Sequence, residues 1–402
     1  MSNLTFFFRN NFSYILFILT LILINFGGFG TGFFNNYNIT VFLGYFSLII
    51  ILIYKKDLLL YINGPFLKPI VFIVLSMTIS CFFAQNNVYG NIWYRYFSIV
   101  MCITFSFLAY LLLSEKKVVN TTILKVLGFC GFLHVIVLLC FWSYLEDPVN
   151  YNWFMDLPFF NHIRNFTDFI AIGFLCSLYL FFISEKSINK IFWAGNSIFV
   201  LSCVFWSGSR SSLLGILVCI FFMFFYIRDR QKNSLFLIFF LLSSFYISTF
   251  FKVNNSGFGF ENSIIRTTSG NLNEISSLRY DLYVKVVSYI VDKPFLGYGG
   301  EAVKNYIINV HHIEISQSHN FILQILIEFG FLGLLSFIYF IYIFFKRINF
   351  SKINNGAIFA ILISNIFISS LFNGGFYYTS NLSLLCLFFS CLYYSCGKRG
   401  EL

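Results

Sequence analysis

The sequence predicts an all-α integral membrane protein with about twelve transmembrane helices. The chain is 58% hydrophobic and only 10% charged, which is too apolar for a single water-soluble core. Runs of about 20 mostly apolar residues, the length a helix needs to cross the hydrocarbon layer, recur from end to end. Backbone groups find no partners in lipid, so the spans must be helices or closed barrels. The run 236–251 lacks the alternating polar and apolar pattern of barrel strands, which favours helices.

Twelve apolar runs define the expected spans, and together they make residues 1–402 a single polytopic membrane domain. The first run has no small-residue cleavage site behind it, so we expect a retained helix rather than a signal peptide. The expected spans are 12–30, 39–54, 66–84, 92–113, 122–145, 166–184, 191–207, 211–227, 234–251, 320–345, 353–372 and 377–396.

Lysine and arginine give the chain an orientation, because cytoplasmic loops carry an excess of both. If the N-terminus is cytoplasmic, 17 of the 26 lysines and arginines fall on the cytoplasmic side, and most of the others lie in one long outer loop. We therefore predict that both termini are cytoplasmic. The net charge of +10 follows from this bias and gives little support to nucleic-acid binding.

Two outer connections are long, residues 146–165 and residues 252–318, and long connections of mixed polarity tend to carry function. We expect the second to form a loop that caps the active site and contains short helices. A break is predicted at Lys293-Pro294 and at the glycine-rich run 297–300. The residues that predict a helix in the middle of this loop are Leu278, Leu282, Lys285, Val286 and Tyr289.

Three arginines are expected at the outer edge of the spans. Arg210 lies in the hairpin between the seventh and eighth runs, where neighbouring small residues allow a backbone or a ligand to approach closely. Arg164 and Arg95 occupy equivalent depths. Each could be an interfacial side chain that reaches lipid phosphate. Arg95 is flanked by aromatic residues and is interpreted as such an anchor.

Arg279 lies on the helix expected in the long outer loop. It could belong to a solvated helix face, paired with a carboxylate such as Glu274. Several outer arginines at one membrane surface also suit a substrate that bears phosphates, because a guanidinium stays charged and binds phosphate oxygens in pairs. A lipid diphosphate fits that description.

His319 begins the tenth run and is a candidate general base. A histidine at a helix start has an ordinary pKa near neutrality, which suits the removal of a proton from a sugar hydroxyl. A structural role is the alternative. His311 and His312 lie in the loop without a comparable setting, and His134 lies inside a span and is interpreted as a core residue.

These residues together resemble the O-antigen ligase and polymerase superfamily of bacterial envelope glycosyltransferases. The signature is His319-Asn320 followed, after seven residues, by Glu328-x-Gly330-x-x-Gly333. The supporting matches lie in the same order, roughly within residues 200 to 340. They are Ser209-Arg210 followed by Gly215, the Arg279 helix, and Pro294-Phe295-Leu296-Gly297-Tyr298-Gly299. The segment 162–166 is similar to part of the ligases, which favours a ligase over a polymerase.

The resemblance implies a GT-C-like helical fold in the bacterial inner membrane and an inverting transfer on the periplasmic face. The donor would be a glycan on undecaprenyl diphosphate and the acceptor the outer sugar of lipid A-core. His319 would be the base, Arg210 and Arg279 would hold the diphosphate with Arg164 in support, and Asn320 would orient the histidine or an acceptor hydroxyl. The resemblance also implies a reaction without a metal or other cofactor, and the sequence agrees, since the outer segments lack an acidic pair such as D-x-D. The ten cysteines form no C-x-x-C pair, so we expect neither disulfides nor a zinc site.

Other functions remain open from the sequence. An O-antigen polymerase would use the same donor and extend another lipid-linked glycan, and a protein O-oligosaccharyltransferase would use a polypeptide acceptor. A polysaccharide transporter would usually place charges at mid-membrane depth in broken helices. The expected spans are nearly free of central charge, which favours chemistry at one surface. The glycan, the acceptor sugar and the oligomeric state are not predicted.

Overall fold

A computed structural model describes residues 2–26, 36–54, 66–84, 92–115, 118–160, 162–226, 230–255, 257–268, 279–304 and 317–397. These residues form fourteen α-helices, with 3-10 helices at Phe350–Asn355 and Gly375–Tyr377. The helices are α1 Ser2–Phe26, α2 Asn36–Ile53, α3 Leu67–Phe83, α4 Ile92–Ser114, α5 Asn120–Tyr144, α6 Ile163–Ile183, α7 Ser187–Ser207, α8 Arg210–Tyr226, α9 Arg230–Ser248, α10 Phe260–Thr268, α11 Arg279–Asp292, α12 Phe321–Arg347, α13 Ala357–Asn373 and α14 Thr379–Cys396.

The all-α fold class is confirmed, and no β-strand occurs in the described part of the chain. Each of the twelve apolar runs corresponds to one helix. Six helices are long and apolar enough to cross a membrane, namely α4, α5, α6, α7, α12 and α14, and six shorter apolar helices accompany them. This pattern is that of a multi-pass membrane protein, while the count of twelve spans and the GT-C-like arrangement stay predictions.

The chain divides into two compact units. Unit 1 consists of residues 1–39, 112–269 and 357–369, and unit 2 consists of residues 40–111, 270–356 and 370–402. Each unit therefore draws on distant parts of the sequence. The long outer loop expected at 252–318 contributes α10 to unit 1 and α11 to unit 2.

Unit 1 is centred on α6, which is buried along most of its length between α5 and α7. Gly131 of α5 and Gly173 of α6 let these two helices touch backbone to backbone, because a Cβ built on Gly173 would lie 3.0 Å from the Cα of Gly131. Asn196 of α7 donates to the carbonyl of Gly128 at 2.9 Å and to the hydroxyl of Ser177 at 2.8 Å. Small residues and interhelical hydrogen bonds of this kind hold helices together where apolar surroundings give little hydrophobic drive.

Unit 2 is organised around α12, which packs against α3 and α11. The expected amphipathic helix in the long loop is confirmed as α11, which buries Leu282, Val286 and Ile290 against Ile327 of α12. Leu278, also expected on that face, lies outside the described residues. The short helix α11 is therefore fixed by an apolar face, as its periodicity predicts.

A break in α12 explains two of the sequence motifs. Gly330 adopts φ 63° and ψ −166°, a conformation available essentially to glycine, and the helical hydrogen bonds stop there. The predicted turn 294–299 fills the gap. Its Tyr298 and Gly299 N–H groups donate to the carbonyls of Ile327 and Glu328 at 2.8 Å each.

The same segment also accepts hydrogen bonds from the backbone that follows the break. The carbonyl of Pro294 accepts from the N–H of Phe331 at 2.8 Å, and the carbonyl of Phe295 accepts from the next N–H along α12 at 3.2 Å. Glycine is needed on both sides of the contact. A Cβ on Gly330 would lie 2.3 Å from the carbonyl oxygen of Phe295, and one on Gly297 would lie 2.7 Å from that of Glu328.

We predict that Gly330→Ala destabilises the protein while Gly195→Ala does not. The first change forces an alanine into a glycine conformation and against a backbone oxygen, and such strain costs about 1–3 kcal/mol before any overlap is counted. Gly195 lies inside α7 with open space at its Cβ position, so alanine there should be neutral or stabilising by roughly 0.5–1 kcal/mol. Apparent melting in detergent, followed by the monodisperse fraction after heating, compares the two. Equal melting would contradict the role given to the break.

Candidate functional site

His319 lies immediately before α12 in unit 2, in an unusual backbone conformation. Its φ of 54° is in the left-handed region, which a histidine adopts uncommonly and which often marks a functional residue. The following residue, Asn320, caps α12. Its side-chain oxygen accepts from the N–H groups of Ile322 and Leu323 at 2.9 and 3.1 Å, and its amide donates to the carbonyl of Leu371 at 3.1 Å.

The turn after α13 packs directly against His319. Gly374 has φ 63°, and a Cβ there would lie 3.0 Å from the Cα of His319. The neighbouring Asn373 accepts a hydrogen bond from Nη2 of Arg279 at 3.3 Å. The hydroxyl of Tyr283, one turn further along α11, lies 3.5 Å from the carbonyl oxygen of His319. The structure thus brings Arg279 and His319 together, with Asn373 and Gly374 between them.

Arg279 is half-buried at the first position of α11. The alternative of a solvated pair with Glu274 concerns a residue outside the described part of the chain. Its Nη2 donates to Asn373, and a guanidinium carries five N–H donors in a planar fork.

Arg164 and Arg210 lie in unit 1 at the starts of two helices that contact each other, α6 and α8. Arg164 lies in the first turn of α6, where His162 caps the helix by accepting from the N–H of Arg164 at 3.0 Å. Arg210 is the first residue of α8 and is half-buried. The hydroxyl of Ser212 donates to Asp168 at 2.9 Å and so ties the two helix starts together. Helix N-termini carry partial positive charge, so two of them with two arginines suit an anion.

Glycine spacing allows this arrangement in unit 1. Gly208, with φ 64°, ends α7, and a Cβ there would lie 2.7 Å from the carbonyl oxygen of Gly259. Gly215 faces α13, where a Cβ would lie 2.7 Å from the side-chain oxygen of Asn365. The Ser-Arg motif followed by a glycine therefore reflects close packing around the start of α8.

The three arginines and the histidine predicted for the site thus fall into two groups. Arg164 and Arg210 belong to unit 1, and Arg279 and His319 belong to unit 2. Their convergence on one substrate stays a prediction. His134 is confirmed as a core residue, since it is 3% exposed and its ring packs against the aromatic rings of Phe26 and Phe160. Within the described residues, no group of three His, Cys, Asp or Glu side chains could hold a metal ion.

The interpretation of Arg95 as an interfacial anchor is wrong. Arg95 is 5% exposed and lies with its Nε 3.6 Å from a carboxylate oxygen of Glu328, which is 1% exposed. Its Nη1 donates to the carbonyl of Tyr377 at 2.8 Å, and its Nη2 donates to the carbonyl of Phe376. The flanking aromatic residues suggested an interface because they resemble an aromatic belt. No local pattern in the sequence pairs Arg95 with Glu328, which lies more than 200 residues away.

Unit 2 also contains an apolar cavity of about 400 Å³. Its lining extends along α12 from Phe321 to Phe344, and the buried pair Arg95 and Glu328 contributes to the wall. At 1.5 Å per residue this stretch of helix is roughly 35 Å long, about the thickness of a bilayer core. Phe321, at one end of this stretch, is the second residue after His319 in the sequence.

Comparison with protein families matches residues 195–338 to a family model described as O-antigen ligase. The match covers Arg210, Arg279, His319 and the break at Gly330, and it confirms the resemblance for this part of the chain. The matched residues make up about a third of the chain, and over them the chain is similar to this family. A comparison with curated proteins gives no match.

Proposed function

We propose that this protein belongs to the O-antigen ligase family and transfers an O-antigen glycan from undecaprenyl diphosphate to lipid A-core. The observation that carries the proposal is the family match over the region that holds His319 in a fixed backbone conformation beside Arg279. The orientation inferred from lysine and arginine puts this chemistry on the periplasmic face of the inner membrane, with both termini cytoplasmic.

His319 is proposed as the general base. It takes the proton from an acceptor sugar hydroxyl while that oxygen forms a bond to the anomeric carbon of the donor. The bond from the anomeric carbon to the phosphate oxygen breaks, and undecaprenyl diphosphate leaves with the electron pair. Attack from the opposite face inverts the configuration. A base at hydrogen-bond distance of the hydroxyl contributes typically 10²–10⁴-fold to such a step.

The arginines are proposed to stabilise the negative charge that develops on the leaving diphosphate. Arg210 is supported in this role by its place at the start of α8, because a helix N-terminus favours an anion. Arg164 lies in the first turn of α6, which contacts α8. Arg279 would add charge from the histidine side. A preorganised donor of this kind is worth roughly 3 to 4 kcal/mol of transition-state stabilisation.

The apolar cavity of unit 2 is proposed to take part of the polyprenyl tail. Its lining includes Phe321 at one end, so a tail in the cavity would have its diphosphate near His319. A cavity of about 400 Å³ accommodates part of a long prenyl chain, and the remainder would lie in lipid.

We predict that His319→Ala and Arg279→Gln each lower the rate of glycan transfer by at least 10²-fold. The first change removes the proposed base, and the second removes a guanidinium that would donate hydrogen bonds to the diphosphate. The assay uses purified protein in nanodiscs, undecaprenyl-diphosphate glycan as donor and lipid A-core as acceptor. Lys285→Gln is the matched control, because it removes one positive charge from the same helix α11 and lies outside the proposed site. It should leave the rate within twofold.

The products separate ligation from the neighbouring activities. Glycan on lipid A-core supports the proposal. Elongated lipid-linked glycan without ligation would identify a polymerase, and glycan on an added polypeptide would identify a protein-modifying relative. Full activity of a folded His319→Ala variant would show that His319 is not the base.

We predict that Thr104→Phe slows transfer from long-chain donors more than from short-chain donors. Thr104 lines the cavity, and a phenyl group there would occupy space proposed for the tail. Rates are compared for donors of about eleven and about two prenyl units. Leu217→Phe, at a position 54% exposed on α8, is the control for added aromatic bulk. An equal effect on both donors would rule out this cavity as the tail site.

A further inference from the structure

The buried residues Arg95 and Glu328 connect to both segments that touch His319. The first connection runs along α12. One carboxylate oxygen of Glu328 accepts from the amide of Gln324 at 2.8 Å, and the oxygen of that Gln324 side chain accepts from the backbone N–H of Ser318 at 2.8 Å. Ser318 immediately precedes His319. The carboxylate therefore reaches the histidine backbone through one side chain.

The second connection runs through the turn after α13. Arg95 donates to the carbonyls of Phe376 and Tyr377, and its guanidinium carbon lies 5.4 Å from the centre of the Tyr377 ring. These residues form the 3-10 helix that follows Gly374, and Gly374 packs on the Cα of His319. Arg95 therefore fixes the turn against which the histidine rests.

A third contact closes the network. The hydroxyl of Tyr377 donates to Glu301 at 3.2 Å, and the backbone N–H of Glu301 donates to Glu328 at 3.1 Å. Glu301 itself has φ 59° and directly follows Gly300, where a Cβ would lie 2.7 Å from the Cβ of Arg95. The glycine run of the long loop is thus packed onto the same buried pair.

We propose that Arg95 and Glu328 are positioning residues that hold His319 in its left-handed conformation. The left-handed region is unfavourable for histidine and persists where surrounding contacts determine it. Here Ser318 is tied on one side and Gly374 on the other, and both ties end in the same ion pair. This inference rests on the proposed function for its effect on rate, and on the backbone contacts alone for its effect on the histidine.

A positioning role for Arg95 and Glu328 can be told apart from a role in stability alone. Replacing a buried ion pair by apolar side chains is often neutral or stabilising, whereas removing one partner leaves a buried charge. A pair kept only for stability would therefore be replaceable by two apolar residues without loss of turnover. A pair that positions His319 would not, because apolar side chains cannot accept from Gln324 or donate to the turn.

The test compares Glu328→Gln with the double variant Arg95→Met/Glu328→Leu, and uses Glu185→Gln, at an exposed position, as the matched control. Transfer assays give kcat and the donor KM. Mass spectrometry gives the rate of carbethoxylation of His319 by diethyl pyrocarbonate, with His162 as the internal reference. Apparent melting reports folding.

We expect kcat to fall roughly 10²-fold in both Arg95/Glu328 variants, as for a reactive group displaced by about 1 Å. The donor KM should stay within about threefold, and the labelling rate of His319, relative to His162, should change at least threefold. The double variant should melt closer to wild type than Glu328→Gln does, yet stay slow. Glu185→Gln should match wild type in every measurement.

Recovery of both melting and kcat in the double variant would overturn the proposal, as would unchanged labelling of His319. A loss of kcat that merely parallels a loss of melting would also overturn it. The labelling does not depend on the reaction. If wild-type protein failed to transfer glycan while His319 labelling still responded to the variants, the proposed function would fail and the positioning of His319 would stand.

Discussion

The break at Gly330 leaves backbone N–H and carbonyl groups of α12 without helical hydrogen-bond partners. Other segments of unit 2 supply those partners. An unsatisfied N–H or carbonyl in apolar surroundings costs several kcal/mol. The segment 294–299 supplies donors on one side of the break and acceptors on the other. Ser80 of α3 adds a donor to the carbonyl of Glu328 at 2.8 Å. This requirement fixes where α11 and the loop after it dock.

Docking of that loop has a direct consequence for the chemistry. Once residues 297–300 lie on α12, Glu301 is brought to Glu328, and Arg95 is enclosed beside Gly300. Enclosure removes water from the ion pair, which makes each of its hydrogen bonds directional and hard to rearrange. The helix break, the glycine turn and the histidine conformation are therefore consecutive results of one packing arrangement. The glycine turn and the helix break, some 30 residues apart in the sequence, meet because each supplies backbone hydrogen-bond partners to the other.

Local signals explain which parts of the structure were predictable from sequence. Apolar runs predicted twelve apolar helices, six long and six shorter, and the spacing of Leu282, Val286 and Tyr289 predicted α11, because periodicity reflects burial directly. The setting of Arg95 was not predictable. Its sequence neighbours are aromatic, and its partner Glu328 lies more than 200 residues away. A single sequence does not encode that pairing in any local pattern, and the same holds for Asn373 beside Arg279.

Asn320 supports the start of α12, and its expected part in orienting His319 or an acceptor hydroxyl stays a prediction. Its side-chain oxygen caps the helix and its amide donates to the carbonyl of Leu371. The cap also bears on His319, because it fixes the start of α12 at Phe321, two residues after the histidine. Charged groups then divide by burial. Arg95 is buried, and its donors face backbone carbonyls and Glu328, whereas Arg210 and Arg279 are half-buried. A side chain that binds phosphate must be partly exposed, whereas one that supports the backbone can be buried.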